Sequence, residues 1–377
     1  MKKVKVFIDV YYYKAALSGI RTYITELKSA SEKYGSENIE YIFSHDIDKL
    51  SNNQLYLNSE NQLIRWVFQF NYLIWKQVFL PIKLLKLKPD YLICPDYVAP
   101  IFSFKTKRIT VIHDSLFWDY PNNYSSIWRK YFISLINLGI NEKTHIITTS
   151  NYSKKNLLKA INKTTLIDYV YQSFENISIP KRNLESKLQL PESYILHIGS
   201  FEKRKDLITL VKAFHVIKKS ESNTKIKLVL AGAQVVNGNK KIIKQIKRYI
   251  LNNDLENEIL LPNYITKEEA SQYYKNALMY VFPSVDEGFG IPIIEAFSYS
   301  LPIICSDIPV FREIANESVS YFNKGNFISL SEKIQTLIDS KDLREELIKK
   351  GKNQLNKFSR KNFIKGFENM IIDWNEK

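Results

Sequence analysis

The residues best suited to chemistry crowd into Phe282-Pro283-Ser284-Val285-Asp286-Glu287-Gly288-Phe289-Gly290-Ile291-Pro292-Ile293-Ile294-Glu295-Ala296. An apolar strand ends at Phe282, a loop with two glycines follows, and a helix opens at Ile291. Pro292 falls in the first helical turn, where a missing N–H costs little. Gly288 and Gly290 let the backbone come close to a ligand. The helix start presents unpaired N–H groups and a positive dipole end, which suits a phosphate. Glu287 stands in the loop and Glu295 in the first turn or so of the helix. Each carboxylate can accept two sugar hydroxyls. The chemistry this pattern fits is the holding of a phosphate-bearing, hydroxyl-rich ligand. The plainer alternative is a strand, a loop and a helix in which Glu295 is simply a favourable acid near the helix start.

Two further groups stand at strand ends. Arg204-Lys205 follows the strand Tyr194–Gly199, where a cation pair can neutralise a departing diphosphate. With Glu202 the pair also reads as a solvated charge cluster. His113, with Asp114 beside it, ends the buried-looking strand Arg108–His113. It reads either as a hydrogen-bonded structural histidine or as a group turned toward a cleft. His45, His145, His197 and His215 lack metal-ligand spacing and read as structural, so no metal is expected.

The elements that position these residues alternate between short apolar runs and amphipathic stretches, the βαβ pattern of a mostly parallel sheet. In the first half the strands are Val4–Val10, Ile39–Ser44, Asp90–Cys94, Arg108–His113, His145–Thr149 and Leu166–Tyr171. The helices between them are Ile20–Tyr34, Gln62–Phe79, Ser125–Ile140 and Ser153–Ile161. Glu175–Ser193 is polar and aperiodic and reads as a linker. The alternation restarts with strands Tyr194–Gly199, Lys225–Ala231, Glu258–Pro262, Leu278–Phe282, Pro302–Ser306 and Val319–Phe322. Helices Phe327–Asp339, Lys341–Lys352 and Arg360–Trp374 close the chain. Two successive parallel-sheet domains predict a site in the cleft between them, near the C-terminal strand ends.

Length agrees, since 377 residues suggest two domains. Cys94 and Cys305 alone build no disulfide framework, which fits a reducing cytosol. The N-terminus runs straight into a strand with no signal peptide, and no uncharged apolar run of about 18 residues is long enough to span a membrane. The net charge of +15 is shared: residues 1–178 carry 23 Lys/Arg against 15 Asp/Glu, and residues 179–377 carry 31 against 24. No basic tail is present, and only ten of the 54 basic residues are Arg, the residue that reads bases best. Nucleic acid is therefore not the expected partner. The charge favours sugar nucleotides, lipid phosphates or an anionic membrane surface. The segment Gln62–Lys88 holds Arg65, Lys76, Lys83, Lys86 and Lys88 with no acid, and six aromatics: Trp66, Phe68, Phe70, Tyr72, Trp75 and Phe79. It reads as a domain helix with aromatics in the core, or as a helix lying on an anionic membrane.

The string from Glu287 to Glu295 matches the Glu-x7-Glu motif of retaining glycosyltransferases of the family-4 type, and the resemblance runs over nearly the whole chain. Ser18-Gly19-Ile20-Arg21-Thr22-Tyr23 resembles the family's loop after the first strand. Val111-Ile112-His113-Asp114 resembles the subgroup with a His-Asp pair. Ile146–Ser150 with Ser153-Lys154, Gly199 with Arg204-Lys205, Leu228–Gly232 and Pro262–Ile265 follow in the family's order. Ser18 and Arg21 replace outer glycines of the first loop, Ser200 stands where some members have Arg, Ser300 replaces a glycine, and a proline near Lys324 is absent.

The resemblance implies an α/β, GT-B fold: two Rossmann-like domains with parallel sheets facing across a cleft. Residues 1–178 would form the acceptor domain and residues 190–358 the nucleotide-sugar domain. Residues 359–377 would be a helix crossing back onto the first. It implies a retaining hexosyltransferase of polysaccharide or glycoconjugate synthesis, with a GDP- or UDP-sugar donor, a glycan or lipid-linked acceptor and no cofactor. Its setting would be the cytoplasm, up to the inner face of the plasma membrane. Glu295 would hold the donor ribose. Glu287 with Gly288, Phe289 and Gly290 would hold the donor sugar. Arg204, Lys205, Gly19 and the Ile291 helix start would hold the diphosphate, and the bases would meet backbone around Pro262–Ile265. His113 would touch the transferred sugar. Members of the His-Asp subgroup include many mannosyltransferases of bacterial surface polysaccharides. Rival readings are a GT-B sugar-nucleotide epimerase or phosphorylase, the latter lacking a recognisable cofactor-lysine motif, and a basic nucleic-acid-binding protein.

Overall fold

Strands covered by helices on both faces have no solvent side, so they run apolar without alternation. Tyr91–Cys94 (YLIC) and Met279–Phe282 (MYVF) show this throughout, and Val4–Ile8 (VKVFI) from Val6 on, where the residues are buried. The structure, a computed structural model, describes residues 3–16, 19–51, 62–161, 165–174, 188–220, 225–232, 240–262 and 265–376. Ser18, most of the expected linker, and Asn263 and Tyr264 of the expected base-recognition segment lie outside them. The chain divides into one unit that runs to Ser173 and resumes at Phe358, and a second unit, Phe174–Lys357.

The first unit contains β1 (Val4–Ile8), α1 (Gly19–Tyr34), β2 (Ile39–Phe43), α2 (Ile47–Ser51), α3 (Gln62–Ile74), α4 (Leu80–Leu87), β3 (Tyr91–Cys94) and β4 (Lys107–Val111). It continues with α5 (Leu116–Asp119), α6 (Ser126–Gly139), β5 (Thr144–Thr148), α7 (Asn151–Ala160) and β6 (Leu166–Tyr169). The sheet order is β2-β1-β3-β4-β5-β6, all parallel. Ile8 stands opposite Phe43 on one side and Ile93 on the other. The winding therefore reverses between β1 and β3, and such a reversal opens a crevice at the C-terminal strand ends.

The second unit contains β7 (Tyr194–Ile198), α8 (Leu207–Ser220), β8 (Lys227–Ala231), α9 (Lys240–Leu251), β9 (Ile259–Leu260), α10 (Lys267–Asn276) and β10 (Met279–Phe282). It continues with α11 (Ile291–Ser298), β11 (Ile303–Ser306), α12 (Pro309–Ala315), β12 (Ser320–Phe322), α13 (Phe327–Asp339) and α14 (Lys341–Leu355). The order β12-β11-β10-β7-β8-β9 is the Rossmann order, with its reversal between β7 and β10. The last helix, α15 (Arg360–Glu376), belongs to the first unit. Its Phe363, Ile364 and Phe367 share a core with Tyr23, Ile24 and Leu27 of α1. Arg360 grips Glu26 with two nitrogens, at 2.9 and 2.8 Å, and Ser173 Oγ donates to the same carboxylate at 3.0 Å. Among the described residues no helix is long and apolar enough to cross a membrane.

Several elements differ from expectation. The strand expected to reach His113 stops at Val111, and the first strand stops at Ile8 rather than Val10. Val10 and Ile112 beyond them are buried, and Asp9 and Ile112 N–H still donate to the Ile93 and Ile147 carbonyls at 2.9 and 2.8 Å, so the apolar run outlasts the ladder by about a residue. The helix α12 falls where only a connection was foreseen. The helix expected over Gln62–Phe79 continues to Leu87 through a π-helical turn, Trp75–Phe79. The wider turn sets Trp75 and Lys76 side by side facing inward. Lys76 Nζ lies 2.7 Å from Asp9 and 2.6 Å from Asp96, fully buried. Trp75 Nε1 donates to Asp9 at 2.9 Å and Tyr72 Oη to Asp96 at 2.9 Å. Burial works against the Lys76 charge, and the two carboxylates more than restore it. Burial pushes the Asp96 acid up to about 6, with Lys76 pulling the other way.

A buried ion pair is tolerated only whole, and loss of one partner typically costs about 3–5 kcal/mol. Lys76→Met should destabilise the first unit by that order at pH 7, and by less at pH 5, where the stranded carboxyls take up protons. All five tryptophans lie in the first unit, so urea unfolding followed by tryptophan fluorescence reads that unit directly.

Candidate functional site

In the second unit the reversal between β7 and β10 sets two loops together: residues after Ile198 and residues after Phe282. The first folds as a short 3-10 turn, Lys203–Lys205, closed by Asp206 in the left-handed region. The second is stitched to it by Val285 N–H donating to the Arg204 carbonyl at 2.8 Å. Side chains complete the junction. Glu287 Oε1 lies 2.5 Å from Lys205 Nζ, and Oε2 lies 2.5 Å from Arg204 Nη1. Arg204 Nε donates to Glu202 at 2.8 Å, and Ser200 Oγ donates to the other Glu202 oxygen at 2.5 Å. Lys205 Nζ also sits 4.8 Å over the Phe282 ring. The alternative of a solvated charge cluster does not describe this arrangement, since Lys205 and Glu287 are both buried.

Burial alone would push the Glu287 acid up. The adjacent Arg204 and Lys205 charges outweigh it and hold the group down at about 2. Burial draws Lys205 down, with Glu287 opposing. Behind the cluster, His197 Nδ1–H donates to the Val281 carbonyl at 2.9 Å. Burial brings its acid down to about 4, so it is neutral and structural, as expected.

Gly290 is the N-cap of α11 at φ +101°, and a Cβ there would stand 3.0 Å from the Phe311 ring. Only glycine suits that position. Ile291 opens α11, and Ile293 N–H already bonds back to the Gly290 carbonyl at 2.9 Å. Phe289 is buried, so a ligand could meet its backbone but not its ring. Glu295 is half-buried and accepts from Tyr274 Oη at 3.0 Å. Burial raises its acid, with the Tyr274 hydrogen bond opposing. Tyr274 is stacked on Tyr299, with centroids 5.1 Å apart. Sequence reasoning missed Tyr274, on α10, because no local pattern links it to a glutamate 21 residues away.

The first unit holds the remaining candidates. His113 Nε2–H donates to the Pro95 carbonyl at 2.8 Å, and its own carbonyl accepts from Thr149 Oγ1 at 2.9 Å. Burial brings its acid down to about 4, so the ring is neutral, with Nδ1 carrying a lone pair. Tyr23 meets the ring edge-on at 4.8 Å. Asp114 accepts from Leu116 N–H at 3.1 Å and Tyr97 Oη at 3.3 Å. Gly19 is the first residue of α1, with open space where a Cβ would project. The Asp-x-Asp triplet Asp46-Ile47-Asp48 opens α2 as a cap, with Asp48 N–H donating to Asp46 at 3.0 Å. No group of three metal-ligating side chains that could hold an ion occurs among the described residues.

Residues 180–354 match the family model described as glycosyl transferases group 1. Over 242 residues the chain is 27% identical to the O-antigen chain mannosyltransferase RfbU of Salmonella typhimurium, covering 64% of this chain and 63% of that one. Over 224 residues it is 27% identical to the capsular polysaccharide biosynthesis glycosyltransferase CapM of Staphylococcus aureus, covering 57% and 55%. The matched stretches thus span less than two thirds of these relatives. Among solved structures, sucrose-phosphate synthase of Thermosynechococcus elongatus superposes with a TM-score of 0.70 at 16% identity, over all of both chains. Anabaena HepE in complex with UDP and glucose does so at 0.68 and 15%, again over all of both. The fold is therefore of the GT-B kind, and the match to the group 1 glycosyl transferase model covers residues 180–354.

Proposed function

We propose that this chain moves a hexose from a nucleoside-diphosphate sugar to an acceptor hydroxyl on a glycan or lipid-linked glycan, with retained anomeric configuration, in the synthesis of a surface polysaccharide. The observation that carries this reading is the buried Glu287 carboxylate shared by Arg204 and Lys205 at the strand reversal of a group 1 domain, directly before α11. Mannose is the first donor sugar to test, because RfbU and the relatives named O-antigen chain mannosyltransferase B and WbdA carry that sugar in their names. A UDP-hexose is the second, since HepE was solved with UDP and glucose.

In this reading the α11 start at Ile291 takes the diphosphate oxygens, and Arg204 and Lys205 supply the countercharge. Each Glu287 oxygen keeps a lone pair beyond its ion pair, and these accept donor-sugar hydroxyls beside the Gly288–Gly290 backbone. Glu295, steadied by Tyr274, accepts the ribose hydroxyls. His113 offers Nδ1 to a hydroxyl of the transferred sugar. The bond from the anomeric carbon to the phosphate oxygen breaks, and a bond to the acceptor oxygen forms on the same face. The acceptor proton passes to the departing phosphate. Protein cations and the helix dipole carry the leaving charge, so no metal is required.

Loss of one such transition-state charge contact typically costs a hundredfold or more. Lys205→Ala and Arg204→Ala should each lower kcat on that scale, and an unchanged rate would place the diphosphate elsewhere. Turnover should survive EDTA; loss restored by Mn2+ or Mg2+ would contradict the scheme. The two glutamates should fail differently. Glu295→Gln removes binding common to ground and transition states and should mainly raise the donor KM. Glu287→Gln touches the sugar as it acquires oxocarbenium character and should mainly lower kcat. Single-turnover assays with GDP-mannose and UDP-hexoses, with product anomers read by NMR, test the reading. An inverted product would overturn it.

A further inference from the structure

The segment Gln62–Lys88 divides its aromatics. Phe68, Tyr72 and Trp75 are buried, while Trp66, Phe70 and Phe79 stand in solvent, Trp66 at 71% and Phe70 at 63% exposure. Ile82 and Leu85, on α4, continue the exposed strip at 43% and 48%. A second element extends it. Ile101 N–H donates to Gln77 Oε1 at 3.0 Å, and Thr106 Oγ1 donates to the Pro89 carbonyl at 2.9 Å. These bonds hold the β3–β4 loop beside the helices and leave Phe102 projecting at 67% exposure. Isolated exposed apolar residues are ordinary, whereas a run this continuous marks an interaction surface.

The strip cannot be turned inward. Lys76 lies between Asp9 and Asp96, with Trp75 and Tyr72 bonded to the same two carboxylates, and this fixes the rotation of the helix. Charge selects the occupant. Neither residues 62–88 nor residues 97–113 contain an acid, while Lys86, Lys88 and Lys105 stand exposed among the apolar side chains. A second copy of the chain would set lysines against lysines. An anionic bilayer surface offers both an acyl boundary for aromatic and aliphatic side chains and negative headgroups for the amines.

We propose that the α3–α4 face of the first unit, with the Phe102 loop, docks the protein on an anionic lipid surface. The proposal is independent of the donor and acceptor assigned above, and its test reads binding rather than activity. The full chain is floated with vesicles of zwitterionic lipid alone, or with about a third anionic lipid, at low and high salt. The expected result is binding to anionic vesicles only, weakened by salt, with quenching by brominated lipid that falls in Trp66→Phe.

Trp66→Ser with Phe70→Ser, and separately Lys86→Glu with Lys105→Glu, should each lower partitioning by more than about tenfold. Both pairs lie outside the donor machinery and should leave donor hydrolysis unchanged. Failure of the unaltered chain to bind anionic vesicles, or binding indifferent to both double variants, would overturn the proposal. So would a dimer in solution that Trp66→Ser with Phe70→Ser dissociates, which would assign the face to a second copy.

Discussion

A carboxylate out of water with a cation on each oxygen organises the second unit. Glu287 could not stay ionised in its surroundings without Arg204 and Lys205, and Lys205 could not keep its proton as easily without Glu287. Each group makes the others tolerable, and none can leave alone without stranding a buried charge. Because the partners come from the loops after β7 and β10, the cluster also joins the two strands where the winding reverses. The Gly290 turn and α11 are then presented from a fixed base.

The first unit meets the same topological problem with the opposite charge pattern. At its reversal, Asp9 follows β1 and Asp96 follows β3, and a single cation, Lys76, enters between them from the π-helical turn. One unit therefore sets a base between two acids, the other an acid between two bases. The Lys76 cluster is sealed from solvent, and its oxygens are further engaged by Trp75 and Tyr72. The Glu287 cluster keeps a small exposed edge. Fully satisfied, sealed polar networks rigidify and specify a structure.

Much of this was legible in the chain. Buried parallel strands announce themselves as apolar runs, and the order of strands and helices follows from them, with the string from Phe282 to Ala296 placing a loop and helix start where they stand. What stayed hidden was pairing over distance. Lys76 looked like one more cation of a basic aromatic helix, because its acids lie 67 residues before it and 20 after it. The same ignorance left the six aromatics undivided, although the Lys76 pairing decides which three turn outward. Glu202 looked like part of a solvated cluster until its contacts with Arg204 and Ser200 were seen. Strand ends were overrun at Val10 and His113, since burial and single backbone bonds from Asp9 and Ile112 continue past the strands.

The return of α15 to the first unit has a consequence for the order of assembly during synthesis. The core beneath α1 contains Phe363, Ile364 and Phe367, and Glu26 waits for Arg360. The part of this unit before Ser173 therefore cannot close its core until Arg360–Ile371 have emerged from the ribosome. The second unit, continuous from Phe174 to Lys357, is complete before then. Domains commonly fold in the order in which they are made; here the unit begun before the other is finished after it, with the apolar side of α1 uncovered in the interval.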